Sequence, residues 1–562
     1  MAEEDERSDG RGREEEHRGV PTTGTRECEP QLLQPPCPTA DGCAVSRWTT
    51  LPVAALLLAG LAGALYGPKL AHEFVTDDAI YIVENPAVTR GRPLAAYFLD
   101  RSTIASDREF HRQAYRPLRT LAFRTIAVVA GVRPIAFGMA NLILYVTGAL
   151  LIVMLGRRLG VSPGASFMAA ALWVAAPVHV EPVLYASALG DHMSMVLELA
   201  SLLLALRGRW LPAVLSVGLA LAAMLTKEMA VTEPLLIAAL AWATGVPRRR
   251  ATILIAAHCA AALLFMVLRT AVLHAFGHAV LTGGGLLAGV AMAPWRLAAY
   301  VRIVIQPLGH SAGYVLLRPG WPILLGAWVG LGLAILALRR TTQLVRIGAA
   351  WFALTLLPVL GVVPLLADLA DRFALLPSVG LALAAPAAAT ALARRNRLAG
   401  WLVATLVSAL FAAGTVVESA GWKDDATLWA KAVALDRRSA QAHRNLGVIL
   451  LQQGQPAEAL HHFDEARALG DADATSARRR AEALEALGRW GEAEVAAAAA
   501  VVRAPQVAAV HAVYGGVLVR RGALTAAQRA LARAVALEPD SPSTLLLAVK
   551  LAARRGDRAG LD

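Results

Sequence analysis

"WTTLPVAALLLAGLAGALYGPKLAHEFVTDDAIYIV", residues 48–83, joins two kinds of chain. Residues 48–66 carry no charge and match the length a helix needs to cross the hydrocarbon core of a bilayer. Backbone polar groups in lipid must pair within their own segment, so the run reads as a transmembrane helix. The polar segment that follows holds two adjacent carboxylates, Asp77 and Asp78. A carboxylate at a membrane surface can take a proton from a hydroxyl. Thr76 and both aspartates are equally good helix N-cap types, so spacing alone leaves a catalytic and a capping role open.

The apolar pattern recurs along the chain, at 137–155, 161–178, 210–226, 251–268, 321–338, 347–367, 373–393 and 398–417. Residues 192–206 and 229–246 are weaker spans with one glutamate each, Glu198 and Glu233. The hydrophobic fraction of 56% and mean hydropathy of +0.51 agree with a polytopic membrane protein. Arg157–Arg158, Arg207 with Arg209, Arg248–Arg250, Arg339–Arg340 and Arg394 with Arg395 and Arg397 follow alternate spans, which marks those turns as cytoplasmic. The segment 286–308 contains Arg296 and Arg302; a full crossing there would put Arg339–Arg340 outside. It is therefore expected to be re-entrant or interfacial, leaving eleven spans, or twelve with an extra one in 273–320. The net charge of +12 fits arginine-anchored topology, and no aromatic platform for nucleic acid accompanies it.

With this orientation the loop 67–136, the turn at His179, the turn 226–229, the segment 367–372 and everything after Val417 share one outer face. Five polar motifs then converge: Asp77–Asp78; Arg116, Arg119 and Arg124 of "AYRPLRTLAFR"; His179, Glu181 and Asp191; Lys227 and Glu228; and Asp368, Asp371 and Arg372. Ionisable groups at membrane depth are costly, so their convergence marks a functional site. Guanidinium groups suit phosphate through their planar fork of donors, although interfacial arginines also face lipid headgroups. The four cysteines, Cys28, Cys37, Cys43 and Cys259, form no metal-binding or disulfide spacing. "LTGGGLL" at 281–287 lacks the lysine of a phosphate-binding loop.

The C-terminal part repeats with a period of 34: Gly454, Gly488 and Gly522; Ala459, Ala493 and Ala527; Ala466, Ala500 and Ala534; and the small residues Gly447, Ala481 and Gly515. This is the tetratricopeptide pattern of stacked helical hairpins. It predicts about three units over 439–540 and a capping helix at 541–556. Such an array offers a concave groove for a peptide, or an assembly surface.

The motifs "FVTDDAIYIVENPAVT" from Phe74, "YRPLRTLAFR" from Tyr115, "PVHVEPV" from Pro177, "TKEMAVTEP" from Thr226, "DRFALLPSVG" from Asp371 and "GWKDDATLWAKAV" from Gly421 resemble, in this order, the transmembrane and tetratricopeptide repeat-containing O-mannosyltransferases and their bacterial relatives. Residues 1–47, rich in charge, Gly and Pro, are expected to form a disordered cytoplasmic tail. The resemblance, over roughly 48–540, implies an all-α protein with a polytopic GT-C-type membrane domain at 48–420 and a TPR α-solenoid at 421–562. It implies an inverting glycosyltransferase with Asp77 or Asp78 as base and a polyprenyl-phosphate sugar, such as a mannose donor, as co-substrate. Arg116, Lys227 and Arg372 are expected on the phosphate, with His179, Glu181, Asp191, Glu228 and Asp371 also binding substrate. No metal ligand set is assigned, and dependence on a divalent metal stays open. The chain departs from the family pattern at Ala188-Leu189-Gly190-Asp191, where the family carries Gly-Arg-x-Asp, and at Asp371 and Phe373, where Glu and Tyr are usual.

The expected partners are membrane lipid, the lipid-linked sugar and an acceptor protein in the TPR groove, not nucleic acid. A lipid or cell-wall glycan acceptor and a non-enzymatic membrane scaffold are the alternatives. The Ala- and Arg-rich composition points to a bacterial inner membrane with a periplasmic active face.

Overall fold

The computed structural model describes residues 50–106, 114–274, 285–361, 369–395 and 397–556. The expected disordered tail at 1–47, Asp368 and residues 281–284 of the glycine-rich loop lie outside the described residues. Every regular element among the described residues is helical. The protein is an integral membrane protein with a helical bundle followed by a tetratricopeptide solenoid.

Among the described residues seven helices are long and apolar enough to cross a membrane, or up to eight if one bent pair counts as a single span. Six of them fall on expected spans: Leu51–Lys69, Pro134–Arg158, Ala186–Ala205, Arg248–Leu273, Trp321–Leu338 and Leu398–Trp422. The expected span at 161–178 is the bent pair, Pro163–Ala175 and Pro177–Leu184, at 59°. Ala176 is extended there (φ −71°, ψ 124°) because the following proline disfavours helical geometry in the residue before it. The remaining expected spans fall on the apolar helices Trp210–Thr226 and Gln343–Val359, on Pro377–Arg395, and on Glu233–Ala243 after a 3₁₀ turn. Each of these helices falls on an expected apolar segment, and tight turns at Ala176 and Glu228–Thr232 separate neighbouring segments.

The segment 286–308 departs from the re-entrant half of its expectation. It forms one uninterrupted helix, Gly285–Ile305, and not a re-entrant hairpin. Its early part, at Gly289, lies against the Gly361 carbonyl, and the Arg296 guanidinium donates to the Leu360 carbonyl at 3.2 Å. Beyond its end, the Pro307 carbonyl lies against Gly414, Gly309 N–H donates to Glu418 at 2.7 Å and His310 contacts Asp371. Both ends therefore meet segments at the same end of the bundle. By length and hydropathy, Leu287–Ile305 is also one of the helices able to cross a membrane.

Arginine turns collect at the opposite end. Arg158 donates to the Leu206 carbonyl, and Arg250 to the Ala205 carbonyl at 3.0 Å. The core between the two ends is aromatic. Tyr145 is fully buried, with its ring centroid 5.8 Å from Tyr66 and 4.6 Å from Trp173. Its hydroxyl donates to the Val174 carbonyl at 3.0 Å, as a buried hydroxyl must find a partner.

The solenoid follows its 34-residue period closely. Helices Ala440–Gln452 and Pro456–Ala468, Ala474–Ala486 and Trp490–Arg503, and Ala508–Arg520 and Leu524–Leu537 form three hairpins, and Pro542–Arg555 caps them. Gly454, Gly488 and Gly522 adopt φ of +76°, +72° and +79° at the turns, a region that favours glycine. Ala459, Ala493 and Ala527 are fully buried, as are Ala466, Ala500 and Ala534, so larger side chains at these rows have no room. At Gly447 an added Cβ would lie 2.9 Å from Phe463 Cε1 and 3.2 Å from the Ala459 carbonyl.

Gly447→Val should therefore destabilise the first hairpin by roughly 1–3 kcal/mol through overpacking. Limited proteolysis of the solubilised protein should show faster cleavage within 440–470; cleavage at the wild-type rate would refute the close approach.

Candidate active site

The loop that carries the acid pair is built before its chemistry. Asn85 is fully buried, accepts from Ala87 N–H at 2.9 Å and donates to the Thr103 carbonyl at 3.1 Å. Tyr97 donates to the Ala87 carbonyl at 2.7 Å. Arg124, expected in a basic patch, instead donates to the Val88 and Thr89 carbonyls at 3.0 and 2.9 Å and clamps the loop.

Within this frame the two aspartates differ. Asp78 is buried, and its carboxylate accepts from Ser187 N–H at 2.7 Å and from Val75 N–H at 3.2 Å. Burial pushes its carboxyl up to about 7, while the bonds from Ser187 and Val75 pull the other way. Asp77 is half-buried. It follows Thr76, a non-glycine residue at φ +53°, whose N–H donates to the Asp425 carboxylate at 2.7 Å. A π turn, Ala79–Val83, comes directly after the pair. Asp78 thus fixes the loop, and Asp77 is presented by it.

The expected cations gather at the same end of the bundle, each held by a carboxylate from another segment. Arg116 donates to Glu228 from Nε at 2.8 Å and from Nη2 at 2.6 Å. Lys227 pairs with Asp191, and both are buried. Arg372 pairs with Glu181, which also accepts from Arg372 N–H at 3.1 Å. Burial disfavours each of the three cations. The carboxylates outweigh it for Arg116 and Arg372, which are raised, but not for Lys227, which is lowered. Glu228 is held well below the usual carboxylate range: burial would raise it, but Arg116 prevails.

Aromatic rings join the clusters. Lys227 Nζ and the Arg372 guanidinium carbon each lie 5.1 Å from the centroid of the Phe373 ring, and Arg372 lies 5.9 Å from that of Tyr185. Tyr185 is two residues from Ser187, which anchors Asp78. A cavity between these elements is lined by Asp191, Glu198, Lys227, Thr355, Arg372 and Phe373.

Nine of the ten expected site residues are thereby brought to one end of the bundle: Asp77, Asp78, Arg116, Glu181, Asp191, Lys227, Glu228, Asp371 and Arg372. His179 is not among those facing the site. It is fully buried, its Nδ1 contacts the Trp173 carbonyl at 2.8 Å and Tyr145 Oη at 2.9 Å, and its Nε2 contacts Ser378 Oγ at 2.9 Å. The bend at Pro177 turns it into the core. Sequence reading missed His310 and Tyr314, which hold Asp371 at 2.8 and 2.7 Å. Burial opposes the charge on His310, but the Asp371 carboxylate outweighs it and His310 is raised. These residues sit in a segment without periodicity, and only the histidine itself was a signal. Among the described residues no three His, Cys, Asp or Glu side chains gather as metal ligands.

A helical membrane domain with paired charges at one end, continued by a tetratricopeptide solenoid, defines the class. A tetratricopeptide-repeat family model matches residues 440–472. The chain is similar to the protein O-mannosyl-transferase Tmtc1 of Drosophila melanogaster, 34% identical over 191 residues, which cover 32% of this chain and 22% of that protein. It is similar to TMTC1 of Mus musculus, 37% identical over 134 residues, covering 23% and 14%. These are the relatives that the motifs resemble. The chain thus spans only about a fifth of the length of the fly relative it matches. The crystal structure of ArnT from Cupriavidus metallidurans bound to undecaprenyl phosphate aligns with 84% of this chain and 81% of its own, at 15% identity and a TM-score of 0.37.

Two measurements check the electrostatics. Asp191→Asn should cost roughly 3–5 kcal/mol, because it leaves Lys227 buried without a counter-charge, and Lys227→Met combined with Asp191→Leu should recover most of it. Thermal unfolding in detergent reads both; an unchanged single variant would refute the pairing. Asp78 adds a pH term of defined sign. Its folded value lies above the ordinary 3.8, so its contribution is complete below about pH 4 and is lost as pH rises through about 7. The loss amounts to about 4 kcal/mol at most. Asp78→Asn should flatten the unfolding profile over that window, and an equally steep profile would contradict the assignment.

Proposed function

We propose that this chain is a membrane glycosyltransferase that moves a sugar, mannose by likeness to its relatives, from a polyprenyl-phosphate donor to Ser or Thr hydroxyls of proteins. The observation that carries this reading is the half-buried Asp77. It stands on a loop pinned by Asp78 and by Asp425, at the bundle end that also holds Arg116, Lys227 and Arg372. The O-mannosyl-transferase names of its relatives supply the reaction class.

The chemistry needs a proton acceptor on one side of the sugar and positive charge on the other. Asp77 takes the proton of the acceptor hydroxyl as its oxygen attacks the anomeric carbon. The bond from that carbon to the phosphate oxygen breaks, and the electron pair leaves with the polyprenyl phosphate. Attack opposite the leaving group inverts the anomeric centre and forms no covalent enzyme intermediate. Arg116, Lys227 and Arg372 stabilise the developing phosphate charge, and Glu228, Asp191 and Glu181 orient them. Asp371, held by His310 and Tyr314, continues into Arg372 and positions that cation.

The solenoid holds the acceptor. Its root lies on the acid loop: Glu73 N–H donates to the Lys423 carbonyl at 3.1 Å, and His72 Nδ1 lies 3.1 Å from the Trp422 carbonyl. The arginine turns at the opposite end favour an orientation with the site and repeats facing away from the cytoplasm, hence periplasmic in a bacterial inner membrane.

In membranes loaded with polyprenyl-phosphate mannose, Asp77→Asn should lower transfer by about 10²- to 10⁴-fold with insertion unchanged. Full transfer in that variant would remove Asp77 as the base. Deleting residues 474–562 keeps the first hairpin and should abolish transfer to protein while the donor still binds. Undiminished protein transfer would instead favour an acceptor that never enters the groove.

A further inference from the structure

Unlike Arg116, Lys227 and Arg372, Arg119 has no carboxylate partner among the described residues. Its side chain is 2% exposed, and its Nε and Nη2 are buried with no hydrogen-bond partner among the described residues. These two atoms form the side-on edge of the guanidinium. Arg116 uses the same edge to hold both oxygens of Glu228. A free edge of this kind matches two oxygens of a carboxylate or phosphate.

The surroundings place Arg119 rather than neutralise it. Its guanidinium carbon lies 4.3 Å from the centre of the Tyr81 ring, on the loop of Asp77, and 5.5 Å from that of Phe123. Those contacts engage ring faces and leave the donor edge unsatisfied. Its stem packs on Gly190, where an added Cβ would lie 3.0 Å from Arg119 Cδ and 3.2 Å from both Arg119 Cγ and the Thr226 carbonyl. Any side chain at 190 would displace it. Burial and the neighbouring Arg116 cation both pull its basicity below that of an ordinary arginine, and an incoming anion would relieve both. A buried charge without a partner is strongly destabilising, and charged groups at membrane depth mark substrate sites by default.

We propose that Arg119 is a phosphate-binding residue whose Nε–Nη2 edge takes two oxygens of a polyprenyl phosphate, from Gly190 on one side and Tyr81 on the other. The proposal rests on the transferase reading for the source of the phosphate, but the oxyanion chemistry of the edge does not. Arg116, Lys227 and Arg372 already hold carboxylates, so Arg119 makes the first direct bidentate contact with the headgroup.

The test is equilibrium binding of a polyprenyl monophosphate, and separately of inorganic phosphate, to the full chain in nanodiscs. It is measured for wild type, Arg119→Met and Arg119→Lys, with the melting temperature of each ligand-free protein. Arg119→Met should weaken lipid-phosphate binding by about tenfold to a hundredfold, the worth of a charge-assisted hydrogen bond. Arg119→Lys should fall between, because it keeps the charge and loses the fork. The ligand-free Met variant should melt at or above wild type, since it no longer buries an unpaired charge. Wild-type affinity in Arg119→Met overturns the proposal, as does a wild type that binds neither probe. Lost affinity with a lower melting temperature marks a structural arginine and overturns it too. Loss confined to inorganic phosphate overturns the lipid as occupant. Asp77→Asn separates the two readings: Arg119-dependent binding without Asp77-dependent transfer sinks the transferase reading alone. Asp77-dependent transfer with Arg119-independent binding sinks only this one.

Discussion

Ionised groups at the end of a membrane bundle are costly unless paired, and this cost organises the polar half of the protein. Three pairs join segments well separated in sequence. Arg116 reaches Glu228, Lys227 reaches Asp191, and Arg372 reaches Glu181. Lys431, at the root of the repeats, reaches Glu418, which also accepts from Gly309 N–H. Surface pairs in water contribute little, but removing one partner of a buried pair leaves a charge that burial makes costly. The pairs therefore select one arrangement of the helix ends more than they add net stability. Their common product is a set of cations fixed in place around one loop.

Much of this was legible in the sequence, for reasons that can be named. The repeat period was visible because each hairpin must fit the next: Ala459, Ala466 and their counterparts are fully buried, and no larger residue fits. The acids and cations of the site were visible because charge is conspicuous in apolar sequence. Helix length was less legible. Hydropathy does not register the turn at Ala176, where backbone geometry and not polarity breaks an apolar run. His179 was misplaced by the same bend, which turns a polar residue from an expected outer turn into the aromatic core.

Pairing itself was not legible. Sequence shows that Arg116, Arg119 and Arg124 share a short stretch, but not that they have three different fates. Arg116 meets a carboxylate, Arg124 meets backbone carbonyls at Val88 and Thr89, and Arg119 meets rings. The difference depends on which residues other segments bring near, including Gly190, whose importance lies in having no side chain. Likewise Asp371 depends on His310 and Tyr314 from a stretch with no pattern to announce it.

The acid loop shows how far such dependence reaches. Thr76 is β-branched and sits at φ +53°, a conformation that costs of order 1–3 kcal/mol and persists only where surrounding structure enforces it. Two carboxylates enforce it from either side. Asp425 accepts from Thr76 N–H, and Asp78 ties Val75 N–H to Ser187 N–H. Buried hydrogen bonds contribute about 0.5–1.5 kcal/mol each, and more where the acceptor is ionised, so together they offset that cost. Asp425 begins the helix Asp425–Leu435, which packs directly on the first helix of the solenoid through Trp429 and Ala442. The direction in which Asp77 points is therefore fixed partly by a residue nearly 350 positions away, where the membrane domain becomes the repeat array.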